Sequence, residues 1–211
     1  MKKVIAVIVF AISINIIGGY SQTIRWSKGK DLEFLKGEKL LKVVILYDSM
    51  TFDNGKKEME YQSEVAKAYN AEVPGKGDKY LERWEREKMM DGGVFIDRWM
   101  KDFTGSMKKM HIKAGPKVEG AKYILKVYPL TVTTGKAGIV VRGAPAYSDF
   151  RIEFVEAANP NKVAGSVFLY QVMGTLVGND LDFSFIGRFK NCFWFGGITL
   201  GREMIKIYKG K

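Results

Sequence analysis

The chain has 211 residues, a net charge of +11, 13% aromatic residues, one histidine and one cysteine. A lone cysteine rules out an intramolecular disulfide, and a lone histidine rules out a zinc site built on several imidazoles. No Gly-rich phosphate loop, HExxH, GxSxG or paired-cysteine metal motif occurs.

The first segment reads as a leader. Lys2 and Lys3 precede an apolar run of 14 residues, Val4 to Ile17, and Gly19 and Ser21 supply small residues at the −3 and −1 positions of a cleavage site. A spanning helix needs roughly 20 apolar residues, and no stop-transfer pattern follows. A signal peptide over 1–21, with Gln22 as the new N-terminus, is therefore expected, leaving 190 residues. The leader takes two lysines and no acid with it, so the mature chain carries +9. Its lysines are dispersed, as on a solvated surface. Export, a single cysteine and the absence of Asn-X-Ser/Thr suggest a bacterial envelope. Position 22 is Gln rather than Cys, so no lipid anchor is expected.

Residues 22–39 read as an extended lead-in to one α+β domain over 40–211. LLKVVILYD (40–48) has the composition of a strand buried on both faces. Asn54-Gly55 marks a turn, and a short helix is expected near Ser63 to Asn70. Tyr80, Leu81 and Trp84, then Val94, Phe95, Trp99 and Phe103, recur at helical spacing. Asp78 is the expected N-cap and Gly105 the expected C-cap, with Gly92-Gly93 dividing two helices. AKYILKVYPLTV follows as a strand, its Pro129 indicating an edge or a bulge. GIVVRG continues the β pattern. SDFRIEFVEA alternates, with Asp149, Arg151 and Glu153 on a wet face and Phe150, Ile152 and Phe154 on a core face. Asn159-Pro160-Asn161 is read as the turn into VAGSVFLYQVM, which is apolar on both faces. The last segment places Phe185, Phe189, Phe193, Gly197, Leu200, Met204 and Ile207 on one helical stripe. Gly196, Gly197 and Gly201 would let another backbone approach, as where a helix lies on a sheet. Its five aromatics within 185–195 could instead touch a membrane surface, although Arg188, Lys190, Arg202 and Glu203 exclude a span. The expected fold is a two-layer α+β sandwich: a four-stranded, mainly antiparallel sheet covered by helices, in the order β-α-β-β-β-α.

Carboxylates are the remaining route to hydrolysis. Asp48 and Asp53 flank the end of the first strand, and Asp180 and Asp182 sit in a Gly/Asn loop. A pair at the right separation could cleave a glycosidic bond or bind Ca²⁺. The simpler reading gives Asp48 and Asp53 to turn geometry and Asp180 and Asp182 to capping the last helix. A Cys192–His111 nucleophile pair is conceivable, but Cys192 falls in the aromatic stripe, where a buried thiol is inert. His111 reads as an exposed linker residue. No catalytic, cofactor-binding or metal-binding residue is assigned.

The phrases FIDRWMKDF (95–103), AKYILKVYPL (121–130), DFSFIGRF (182–189) and GGITLGREMIK (196–206), with the leader ending YSQ, carry a loose resemblance. By these the chain resembles exported α/β envelope proteins of Bacteroidota. The resemblance implies a binding or assembly role and transfers no catalytic residues. The function expected is thus a non-enzymatic envelope component, periplasmic or peripheral to the outer membrane of a Gram-negative bacterium. Its expected partner is an envelope protein or a glycan, with peripheral membrane contact possible in principle and no nucleic acid or cofactor expected. Alternatives are an aspartate-dependent carbohydrate-active hydrolase and a surface protein that binds anionic glycans through lysines. The leader is testable directly: N-terminal sequencing of the native protein should give Gln22 within a few residues, in a non-cytoplasmic fraction. A full-length N-terminus in the cytosol would sink the export argument.

Overall fold

The computed structural model describes residues 23–135, 144–175 and 184–210. The leader, the GIVVRG stretch, and Asp180 and Asp182 lie outside the described residues. Those described form eight strands: β1 (Thr23–Lys28), β2 (Leu40–Ile45), β3 (Thr51–Phe52), β4 (Lys56–Lys57), β5 (Lys113–Gly115), β6 (Tyr123–Thr133), β7 (Ala146–Glu156) and β8 (Asn159–Gly174). They also form four helices: α1 (Glu58–Glu72), α2 (Lys76–Lys88), α3 (Val94–Lys109) and α4 (Phe185–Tyr208).

The sheet overturns the expected four-stranded, mainly antiparallel arrangement. Its order is β1-β8-β7-β6-β2-β5, with β3 pairing β6 beyond the end of β2 and carrying β4. β1, β8, β7 and β6 pair antiparallel, whereas β2 runs parallel to both β6 and β5. Within the extended lead-in, Thr23–Lys28 forms an edge strand. Only Ile24 and Trp26 of β1 turn inward, too few to give a readable β pattern. β3, β4 and β5 are two or three residues long, below the length at which alternation registers. Parallel pairing of β2 leaves no local mark in the chain at all.

Within this sheet the β7 register is as its alternation predicts. Phe150, Ile152 and Phe154 are fully buried, while Asp149, Arg151 and Glu153 remain partly exposed. Pro129 lies at a bulge between β6 and β7, opposite Phe150. It also falls in the gap where β2 has left β6 and β3 has not begun, so its missing N–H costs no ladder bond. The β7–β8 turn is Ala157-Ala158, two residues before the Asn-Pro-Asn sequence expected to make it.

Several helix ends differ from expectation. α1 extends to fifteen residues, well beyond Ser63–Asn70. Gly75, not Asp78, caps the start of α2, and α3 runs through Gly105 to Lys109. Its stop is a Schellman motif in which His111 takes the left-handed position (φ 60°). The His111 N–H donates to Lys108 O (3.0 Å) and the Ile112 N–H to Met107 O (2.9 Å), with Met107 and Ile112 both buried. Ser184 caps α4 by accepting from the Gly187 N–H at 3.1 Å.

The helices cover one face of the sheet. Rings from Trp84, Phe95, Trp99, Phe189 and Phe193 meet one another and Phe150 of β7 at centroid separations of 4.9–6.0 Å. Each such pair contributes about 0.5–1.5 kcal/mol beyond burial of its area. Phe34, in the turn after β1, closes the other end of this layer against Tyr123 and Phe154.

The glycines of α4 do allow a close backbone approach, but the neighbour is α3 rather than the sheet. A Cβ on Gly197 would strike the Trp99 carbonyl oxygen. One on Gly196 would lie 2.7 Å from the Trp99 ring, and one on Gly201 2.6 Å from Ser106 Oγ. The contacts advance together along both helices, so the two lie side by side in parallel. Gly197→Leu must push them apart. Overpacking costs about 1–3 kcal/mol, against about 1 kcal/mol gained in helix propensity. Denaturant melts should show a lowered midpoint, and liposome flotation should not increase. An unchanged midpoint with increased flotation would overturn this packing account.

Candidate functional site

Of the residues singled out for chemistry, Cys192, His111, Asp48 and Asp53 lie within the described residues. Cys192 is fully buried on α4, beneath Gly174, whose added Cβ would lie 2.6 Å from its Sγ. Burial pushes the thiol well above its usual pKa, the opposite of what a nucleophile needs. His111 is exposed and belongs to the stop of α3. Both oxygens of Asp53 serve Thr134: Oδ1 accepts from its N–H at 3.2 Å and Oδ2 from its hydroxyl at 2.7 Å. Asp53 thus ties β3 to the end of β6, a structural duty close to the turn role expected of it. Asp48 is exposed at the end of β2. Among the described residues, no cluster of three His, Cys, Asp or Glu side chains could hold a metal ion.

Asp48 lines a groove of about 1170 Å³ between the β2–β3 loop, α1 and α2. Glu58, Asp78 and Glu85 line it too, along with Lys57, Lys67 and Lys88. Glu58 is already engaged. It accepts from the Trp84 indole at 2.7 Å and is paired with Lys88, whose ammonium also sits 5.2 Å from the centre of the Tyr47 ring. The two ends of this ion pair are 17% and 19% exposed, so it is screened far less than the surface pairs. Burial, followed by Glu58 and Glu85, drives the Tyr47 phenol well above its usual pKa, keeping it neutral. The arrangement locks α1 to α2.

The second surface is the sheet face opposite the helices, which no described element covers. Cross-strand pairing places Arg25 of β1, Phe168 of β8, Arg151 of β7 and Tyr128 of β6 in one row. With neighbouring strands about 4.8 Å apart, the row spans about 14 Å. The Arg151 guanidinium sits 4.5 Å from the centre of the Tyr128 ring and 3.4 Å from Glu153. Burial, followed by Glu153, raises the Tyr128 pKa despite the opposing charge of Arg151. Phe168 and Tyr170 stack at 6.0 Å with ring planes 13° apart. Beside the row, Lys126 pairs across strands with Glu153 and Val44. On the opposite side of the row, Thr131, Thr133, Tyr147, Asp149 and Gln171 line a hollow of about 420 Å³. There Asp149 accepts from the Gln171 N–H at 2.7 Å, supporting a bulge in which Gln171 adopts φ 52°.

Sequence reading identified half of this face through Asp149, Arg151 and Glu153. Phe168 and Tyr170 were also signalled, because β8 reads as apolar on both faces. The row itself depends on register between strands and has no signature in any one of them.

No protein-family model and no curated protein sequence matches the chain. Among solved structures it is similar to the PelC dodecamer from Paraburkholderia phytofirmans, at 13% identity over 72% of this chain and 82% of that one, with a TM-score of 0.31. A point variant of the same dodecamer gives 11% identity, 71% and 81% coverage, and a TM-score of 0.29. A likeness at that level assigns no ligand, partner or residue role to this chain. No helix among the described residues is long and apolar enough to cross a membrane.

The state of Cys192 can be measured. An aromatic disulfide reagent should leave the folded protein unmodified and react with the single thiol once guanidinium unfolds the chain. Fast reaction in native buffer would contradict the burial and reopen a redox or nucleophilic role.

Proposed function

We propose that this chain is an exported, non-enzymatic binding or assembly component of a Gram-negative envelope, periplasmic or peripheral to the outer membrane, and that it engages its partner through the uncovered sheet face. The observation that carries the reading is the Arg25–Phe168–Arg151–Tyr128 row. It places large rings and cations together on a regular, rigid surface, where aromatic and arginine side chains make the strongest recognition contacts. The sequence of the leader supports the export part.

The hydrolase alternative has less support. Asp53 is committed to Thr134 and Glu58 to Lys88 and Trp84, so two carboxylates near the end of β2 are already in structural use.

A benzophenone photocrosslinker placed at Tyr170 or Lys126 samples the open face, and one at Glu82 of α2 serves as the control. In cells, adducts should form from Tyr170 and Lys126 and not from Glu82, within the envelope fraction. Adducts arising only from Glu82, or only in the cytosol, would overturn the reading.

A further inference from the structure

We infer that the ligand of this face is an anionic polysaccharide, a chain of sugar rings bearing carboxylate or sulfate groups, lying across the strands along the row. The inference rests on the binding reading above and names the chemistry of the partner. Four cations project from the face, Arg25, Lys42, Lys126 and Arg151, against Asp149 and Glu153, with a third carboxylate, Asp48, close enough to act on Tyr128 at the β2 end. Glu153 pairs with Arg151, while Asp149 accepts from the Gln171 N–H and keeps its charge. Among the described residues, Arg25, Lys42 and Lys126 have no carboxylate within ion-pair distance, and with four cations against three carboxylates the face keeps a net positive charge.

Charge alone would suit any polyanion; the rings narrow the choice. Phe168 and Tyr170 present two stacked rings with nearly parallel planes, and Tyr128 continues the row on the far side of Arg151. The C–H faces of a sugar carry partial positive charge and fit the negative face of an aromatic ring. A repeating chain would then bring its acidic groups to Arg25 and Lys126, where guanidinium and ammonium donors form charge-assisted hydrogen bonds. A protein partner fits this face less well, because the cores of protein interfaces are depleted of lysine.

The test uses mature protein, with polygalacturonate as probe, neutral dextran as the uncharged control and polyglutamate as a polyanion without sugar rings. Polygalacturonate should bind and weaken steeply with added salt, while dextran should not bind. Arg25→Glu with Lys126→Glu should weaken polygalacturonate binding by at least roughly tenfold. These positions are exposed or half-exposed, so thermal melts should be close to wild type. Phe168→Ala should weaken polygalacturonate and leave any polyglutamate binding unchanged. Equal binding of polyglutamate, insensitive to Phe168→Ala, would reduce the site to bulk charge and overturn the inference. So would equal binding of dextran. If neither glycan binds while Tyr170 and Lys126 still crosslink in the envelope, the ligand assignment fails and the binding reading stands. If those crosslinks are absent too, both fail.

Discussion

The contact between Gly197 and the Trp99 carbonyl sets the geometry of everything above the sheet. Because α4 can lie directly on α3, Phe189 and Phe193 reach Phe95, and Phe193 and Trp99 reach Phe150 on β7. A side chain at 197 would separate the two helices and open this aromatic layer, in which few voids are tolerated. The helices thereby satisfy one another and a single face of the sheet. The other face is left to serve as a surface.

That division explains the distribution of charge along β7. Its inward residues are large and apolar because they meet the α3–α4 layer. Its outward ones are charged because no described element covers them. Arg151 is stabilised by the Tyr128 ring and by Glu153, which hold a flexible side chain in one place. A surface of this kind is pre-organised, so less side-chain entropy is lost when a ligand settles on it.

The parts of the fold legible in the sequence are those whose pattern is written locally by large residues. Phe150, Ile152 and Phe154 reveal β7, and Phe95, Trp99 and Phe103 reveal α3. What escaped depends on partners distant in the chain. β1 owes its existence to β8, and the parallel placement of β2 depends on β6 and β5 together. His111 ends a helix in a backbone conformation usually given to glycine or asparagine, so its role could not be read from residue type. At the sites, Asp48 and Asp53 were placed correctly in the chain, yet Thr134, which occupies Asp53, lies 81 positions away. The face was half visible because alternation names a side but does not say which residues stand beside one another across strands.

The pairing of β1 with β8 has a further consequence for the life of the chain before it is folded. Ser27 bonds to Ser166 across 139 positions, so the edge of the sheet cannot close until nearly the whole polypeptide has been made. Contacts of such long range form late and slowly. The earliest-made strand therefore waits unpaired through most of synthesis, its edge satisfied only by water.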